Sequence, residues 1–246
     1  MKAIYKICAV FFTLSVFLIL GFISIMIPAT STAFYSSQFS KVDEYGDTAV
    51  DDVRYQAKYL SDENAKAYIE NLTEDQLMDL MMHTMKYCLF LEDDLNPTVG
   101  GVHLEVFRED EYSHMKDVKG VFGGGLLMVL FSLVIFGVTL TLGLLKKKGY
   151  YENAKKVPYF TLIGVFSVLA FIGLAAAINF DVAFEVFHMI FFDGNWQFSN
   201  GVMIAMIGRI FLDLVPIILI IWVVLLALFV VGVISYNKWL KKKYEA

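Results

Sequence analysis

Four stretches of this chain carry no charged side chain and are long enough to cross a lipid bilayer: Ala9–Ile27, Val121–Leu145, Phe160–Phe180 and Pro216–Tyr236. A helix needs about 20 apolar residues to span the ~30 Å hydrocarbon layer. The whole chain is 58% hydrophobic with a mean hydropathy of +0.62, more apolar surface than a soluble protein of this length needs. The expected fold is an all-α membrane protein with four transmembrane helices and a small, mainly helical extracytoplasmic cap. The boundaries read from the sequence are transmembrane helices at 7–28, 119–145, 158–180 and 216–237. The intervening parts are a cap at 29–118, a cytoplasmic loop at 146–157, an extracytoplasmic aromatic segment and interfacial helix at 181–215, and a cytoplasmic tail at 238–246.

Orientation follows from the lysines. Lys2 and Lys6 precede the first span, Lys146, Lys147, Lys148, Lys155 and Lys156 lie between the second and third, and Lys238, Lys241, Lys242 and Lys243 follow the fourth. The positive-inside rule assigns all three groups, and so both termini, to the cytoplasm. Residues 29–118 are then outside, with 19 acidic against 7 basic side chains. An acidic outer face argues against nucleic acid as a partner. The first apolar run exceeds the 7–15 residues of a secretory h-region, which favours an uncleaved anchor over a signal peptide. Cys88 is the only cysteine expected outside, so the cap must fold by packing without an intramolecular disulfide.

Within the cap, residues 34–49 read as loop or short strands. Val53, Ala57 and Leu60 have helical spacing. "TEDQ" at 73–76 is a capping box opening a helix whose stripe is Leu77, Leu80, Met81, Thr84 and Cys88. "NPTVGG" at 96–101 is a turn, "VHLEVF" at 102–107 a short strand, and Asp110–Val118 is helical. The fourth apolar region is too long for one span, since Val202–Tyr236 would run ~52 Å as a helix. Val202–Val215 is therefore expected at the outer interface with Pro216 marking a bend. Arg209 and Asp213, placed i, i+4 and able to pair, then avoid the bilayer centre, where a charge costs about 2.5–3.5 kcal/mol on insertion scales.

Four histidines remain to be placed. His83 falls on the polar side of its helix and His103 in the short strand. His114 lies just ahead of the second span, with Glu111 and Asp117 at i−3 and i+3 and Asp110 four residues before it. A carboxylate beside an imidazole can fix its tautomer and steady the imidazolium. His188 lies beyond the third span in "DVAFEVFHMIFFDGNWQF", with Phe184, Phe191 and Phe192 on its face at helical spacing. One histidine precedes an inward-going span and the other follows an outward-going one, so both are expected at the same membrane surface and should meet in space. A helix-surface charge cluster and an ordinary aromatic belt are the plainer accounts of the two segments. Other chemistries find little support: there is no G-x-S-x-G, no H-E-x-x-H, and no defensible zinc spacing among His103, Glu105, Glu111 and His114.

"EYSHMKDVKGVF" (Glu111–Phe122) and "FEVFHMIFFDGNWQF" (Phe184–Phe198) resemble the two signature segments of the lipoprotein intramolecular transacylases, integral membrane enzymes of bacteria. The resemblance implies two catalytic histidines at the junction of cap and membrane, matched here by His114 and His188. It implies transfer of the sn-2 acyl chain of a diacylglyceryl-modified lipoprotein to the amine of that lipoprotein's own N-terminal cysteine, giving a lyso-form lipoprotein.

An amine that attacks an ester of its own molecule needs no enzyme nucleophile, only proton transfer to and from imidazoles titrating near neutrality. On this reading Glu111, Asp117 and either Asp181 or Glu185 orient the rings. Phe184, Phe187, Phe191, Phe192 and Trp196 wall the substrate, and Arg209 and Asp213 lie at the rim. No cofactor and no metal are expected. The partners are the lipoprotein substrate and membrane lipid, and the location is the bacterial cell membrane, multi-pass, with the site at the extracytoplasmic face. A metal-dependent membrane hydrolase and a non-catalytic membrane assembly or sensor protein are the alternatives.

Overall fold

A computed structural model describes residues 2–245 apart from 193, 195, 198 and 199, and gives the backbone alone at 209, 211 and 212. Its long helices are α1 (Lys2–Ala29), α6 (Glu109–Leu145), α8 (Val157–Ile178) and α10 (Val202–Tyr244). Each contains a stretch long and apolar enough to cross a membrane, which makes this an all-α membrane protein with four membrane-spanning helices. Between them lie α2 (Thr32–Phe39), α3 (Ala49–Tyr55), α4 (Glu63–Glu70), α5 (Glu74–Cys88), α7 (Lys147–Ala154) and α9 (Phe180–Phe191). A two-stranded antiparallel hairpin pairs β1 (Thr98–Val99) with β2 (Val102–His103), Val99 opposite Val102. The chain divides into two compact units, one of 1–25, 125–185 and 219–246, the other of 26–124 and 186–218.

The first unit holds a small core of Phe17, Leu162 and Leu226, against which Trp222 packs. The Trp222 indole N–H donates to the carbonyl of Phe17 (3.3 Å), and its ring lies against Gly21, where an added Cβ would come within 3.2 Å. The hydroxyls of Thr13 and Ser15 donate to carbonyls one turn back, at 2.8 and 2.7 Å, so α1 buries them without an unpaired donor. Large apolar side chains such as Phe160, Phe171 and Ile178 face outward. In water such a surface would aggregate, and in a bilayer it is the solvent-facing surface.

The second unit has a conventional interior. Val53, Ala65, Ile69, Leu72, Leu77, Leu95 and Val106 are fully buried, joined by Val202 and Met206 of α10. Thr73 opens α5 with both halves of a capping box: its Oγ1 accepts from Gln76 N–H, and Gln76 Oε1 accepts from Thr73 N–H. α5 ends in a Schellman motif, Leu91 N–H donating to Lys86 O (2.9 Å) and Phe90 N–H to Tyr87 O (3.1 Å). Phe90 occupies the left-handed position at φ 62°, where glycine is usual.

Residues 34–49 are not strand-like. Ser31 caps α2, and Tyr35 and Phe39, one helical turn apart, are both buried at 1% exposure, with Tyr35 Oη donating to Ala29 O (2.9 Å). Burial of two aromatics at i, i+4 outweighs the polar residues between them. The strand expected over 102–107 reduces to Val102–His103: Leu104 N–H still reaches Pro97 O (3.0 Å), but Pro97 has no N–H to return, and Val106 N–H turns back onto Leu104 O (2.9 Å). At the other end of the chain, α10 continues through Pro216 as one helix of 43 residues.

Candidate active site

The site is built on the start of α6. Arg108 is the residue ahead of the helix, and its N–H donates to Oε2 of Glu111 (3.1 Å), three residues on, as in the second half of a capping box. Arg108 also grips Asp110 in two contacts, at 2.6 and 3.1 Å. The other oxygen of Glu111 accepts from Met203 N–H (2.8 Å) at the start of α10. Glu111 is fully buried, so these two amides are the solvation of its carboxylate. Gly201 makes room for it. A Cβ at 201 would collide with the Glu111 carboxylate, and φ at 201 is +137°, a conformation open to glycine. Gly201 N–H donates in turn to Gln56 Oε1 (3.0 Å), so the loop before α10 is tied down from two sides.

One helical turn past Glu111 comes His114, buried at 8% exposure. His188, in the last turn of α9, faces it: the two imidazole centroids are 6.2 Å apart and the rings are inclined by 24°. Phe192 packs on both rings, at 4.6 Å from His114 and 5.4 Å from His188. Trp196 closes the other side of His188 at 4.8 Å, and Phe187 meets that ring edge-on at 5.3 Å. Phe191 packs against Phe187 at 4.9 Å, the rings tilted by 45°. The result is two imidazoles, from segments more than 70 residues apart in the chain, set in a wall of aromatic rings.

The remaining residues expected at the site are placed as follows. Asp117 follows His114 by one turn of α6 and is half-buried. Phe184, Glu185 and Asp181 belong to the first unit, where all three are exposed and Phe184 lies 6.0 Å from Phe180. Asp213 accepts from the ammonium of Lys41, a partner the sequence did not suggest. The side chain of Arg209 lies outside the described residues, as do Asp193 and Asn195 of the "DGNW" turn. His83 Nε2 is 3.0 Å from Asp94 O and His103 is 3.9 Å from the Asp94 carboxylate, the first half-buried and the second exposed.

Comparison with known proteins bears on what this arrangement does. Residues 8–212 match the family described as lipoprotein intramolecular transacylase Lit. The chain belongs to the lipoprotein intramolecular transacylases. No curated protein matches it in sequence. Among solved structures it resembles the membrane-integral transacylase from Bacillus cereus, at 17% identity and a TM-score of 0.60, covering 100% of this chain and 99% of that one. A form of the Bacillus cereus protein with one histidine replaced by alanine is similar at 15% identity and a TM-score of 0.58, covering 99% and 96%. These likenesses carry the fold.

Membership makes the chain an acyltransferase of a family that acts on lipoproteins in the membrane. For a lipoprotein transacylase, the state of the one buried thiol matters, because a thiol could form an acyl-enzyme. Burial pushes the Cys88 thiol up to about 12. At 2% exposure it is a core residue, not a nucleophile. The features that sequence reasoning missed are the Glu111–Met203 and Gly201–Gln56 tethers, whose partners lie 92 and 145 residues apart.

Proposed function

We propose that this protein moves the sn-2 acyl chain of a diacylglyceryl-modified lipoprotein to the α-amine of the same lipoprotein's N-terminal cysteine, with His114 and His188 as acid and base. The observation that carries the reading is the pairing of the two rings at 6.2 Å against Phe192. In the reaction the amine nitrogen bonds to the ester carbonyl carbon and the bond from that carbon to the glyceryl oxygen breaks. One imidazole takes the proton that the amine loses, and the other supplies a proton to the departing oxygen. Each such transfer contributes roughly 10²–10⁴ in rate. Ring closure on the way is entropically awkward in solution. Phe187, Phe191, Phe192 and Trp196, with Phe184 further along α9, would hold the acyl chains folded over the amine and exclude water that would hydrolyse the ester. Glu111 and Asp117 support His114, and Glu185 precedes His188 by one turn. The lysine distribution supports cytoplasmic termini, and with them an extracytoplasmic location for residues 29–118 and for the site.

The test is mass spectrometry of a synthetic diacylated lipopeptide incubated with the pure protein. Unchanged total mass, with one acyl group moved from glycerol to the N-terminal amine, is expected. Release of free fatty acid would instead indicate a hydrolase. His114→Ala and His188→Ala should each reduce transfer at least a hundredfold while inserting normally. A variant of either that retained wild-type transfer would remove that histidine from the mechanism.

A further inference from the structure

The first unit contains a cavity of about 520 Å³ that the acyl-transfer chemistry does not use. It lies at the end of that unit where α1 begins, α6 ends and α10 ends. The volume falls in the range of small-molecule sites. Three small residues on three helices open it: Ala9 on α1, Gly143 on α6 and Gly232 on α10, with Phe12 and Phe229 as its aromatic wall. An added Cβ at Gly143 or Gly232 would meet nothing within 4 Å, so the space is not packing waiting to be filled by neighbours. The lining is almost wholly apolar, but it is not uniform. Lys146 lines it, and among the described residues no carboxylate lies within ion-pair distance of that lysine. Tyr236 also lines it, with a hydroxyl that is buried and has no hydrogen-bond partner among the described residues.

We infer that this cavity binds one anionic phospholipid, with an acyl chain among the helices and the phosphate at Lys146 and the Tyr236 hydroxyl. An apolar cavity whose lining includes a cation and an unused donor matches an amphiphile with a negatively charged, acceptor-rich head. Charge complementarity extends beyond the lining, since Lys2, Lys6, Lys147 and Lys148 flank the same helix ends in sequence. A neutral or zwitterionic lipid would satisfy the apolar part alone. The site is separate from His114 and His188, which belong to the other unit, so it can be tested independently of the transfer reaction.

The experiment is native mass spectrometry of the full-length protein in detergent, titrated with phosphatidylglycerol and, in parallel, phosphatidylcholine. A single-lipid adduct is expected, formed with phosphatidylglycerol at roughly fivefold lower concentration, the equivalent of the ~1 kcal/mol that one lysine contributes near anionic lipid. Lys146→Gln should bring the two lipids to parity. Gly143→Leu combined with Gly232→Leu should abolish the adduct and leave lipopeptide transfer intact. Phosphatidylglycerol carrying a diazirine in its acyl chain gives a reading without substitution: label should appear on residues 4–12, 139–146 or 229–236. Equal affinity for both lipids, an undiminished adduct in the double variant, or label elsewhere on the protein would overturn the inference.

Discussion

Glu111→Gln is a one-atom change with a consequence that can be worked out. The native carboxylate is fully buried and accepts one N–H on each oxygen, Arg108 at 3.1 Å and Met203 at 2.8 Å. Glutamine keeps one acceptor oxygen and presents an NH₂ group to the second amide, donor against donor. Whichever way the amide turns, one buried main-chain N–H loses its partner. Such a loss costs about 1–3 kcal/mol. For a chain of this size each kcal/mol corresponds to about 2–4 °C in Tm, so the expected drop is about 2–12 °C. Melting in detergent followed by intrinsic fluorescence is a direct assay. Gly201→Ala attacks the same contact from the other side by pushing a methyl group into the carboxylate at a φ of +137°. It should destabilise comparably, and the double variant should cost less than the two singles added. A Glu111→Gln protein that melts within about 1 °C of wild type, or two effects that simply add, would refute the picture of one carboxylate joining the starts of α6 and α10.

Phe192→Leu removes the ring shared by both imidazoles. Transfer to the amine should fall roughly tenfold to a hundredfold while free fatty acid rises, both measured on the lipopeptide, because positioning and water exclusion fail together. Cys88 should resist alkylation at pH 8, where a thiol titrating at about 12 is only about one part in ten thousand thiolate. The check is mass spectrometry in a Cys8→Ser background with and without denaturing detergent, and rapid labelling of the folded protein would refute it. Treatment with chelator should leave lipopeptide transfer unchanged, since amine, ester and two imidazoles complete the proton transfers. Zinc-dependent recovery of a chelated, inactive protein would overturn that mechanism.

What the sequence disclosed and what it hid divide by range. The four apolar runs and the Thr73 capping box are local patterns, and the helices appear where those patterns lie. The amphipathic turn of Tyr35 and Phe39 was also local, but the serines and glutamine around it masked its spacing. The passage of α10 through Pro216 was hidden for another reason. A proline inside a helix costs a hydrogen bond, which pointed to a bend there, and the flanking apolar residues continue the helix on both sides. The two histidines were legible as types in a membrane-edge setting, and their meeting followed from the opposite directions of the second and third spans before the family resemblance added to it. Glu111 was legible as a neighbour of His114. Its bond to Met203 and the pairing of Lys41 with Asp213 are not, because no periodicity connects residues 92 and 172 positions apart.

The burial of Val202, Met203, Met206 and Ile210 in the second unit has a consequence for the order of events during synthesis. Most of that unit's core, from Tyr35 to Met115, is made early. The residues that complete it follow some 85 positions after Val118, beyond two further membrane crossings. At roughly 5–20 residues per second the ribosome takes about 4–17 seconds to supply them. During that interval the core cluster that holds Leu77, Leu80 and Val106 lacks its α10 members, and His114 lacks both His188 and the Phe192 ring. The newly made chain therefore passes through a state in which its first spans exist while the core of the second unit and the pairing of His114 with His188 are both still incomplete.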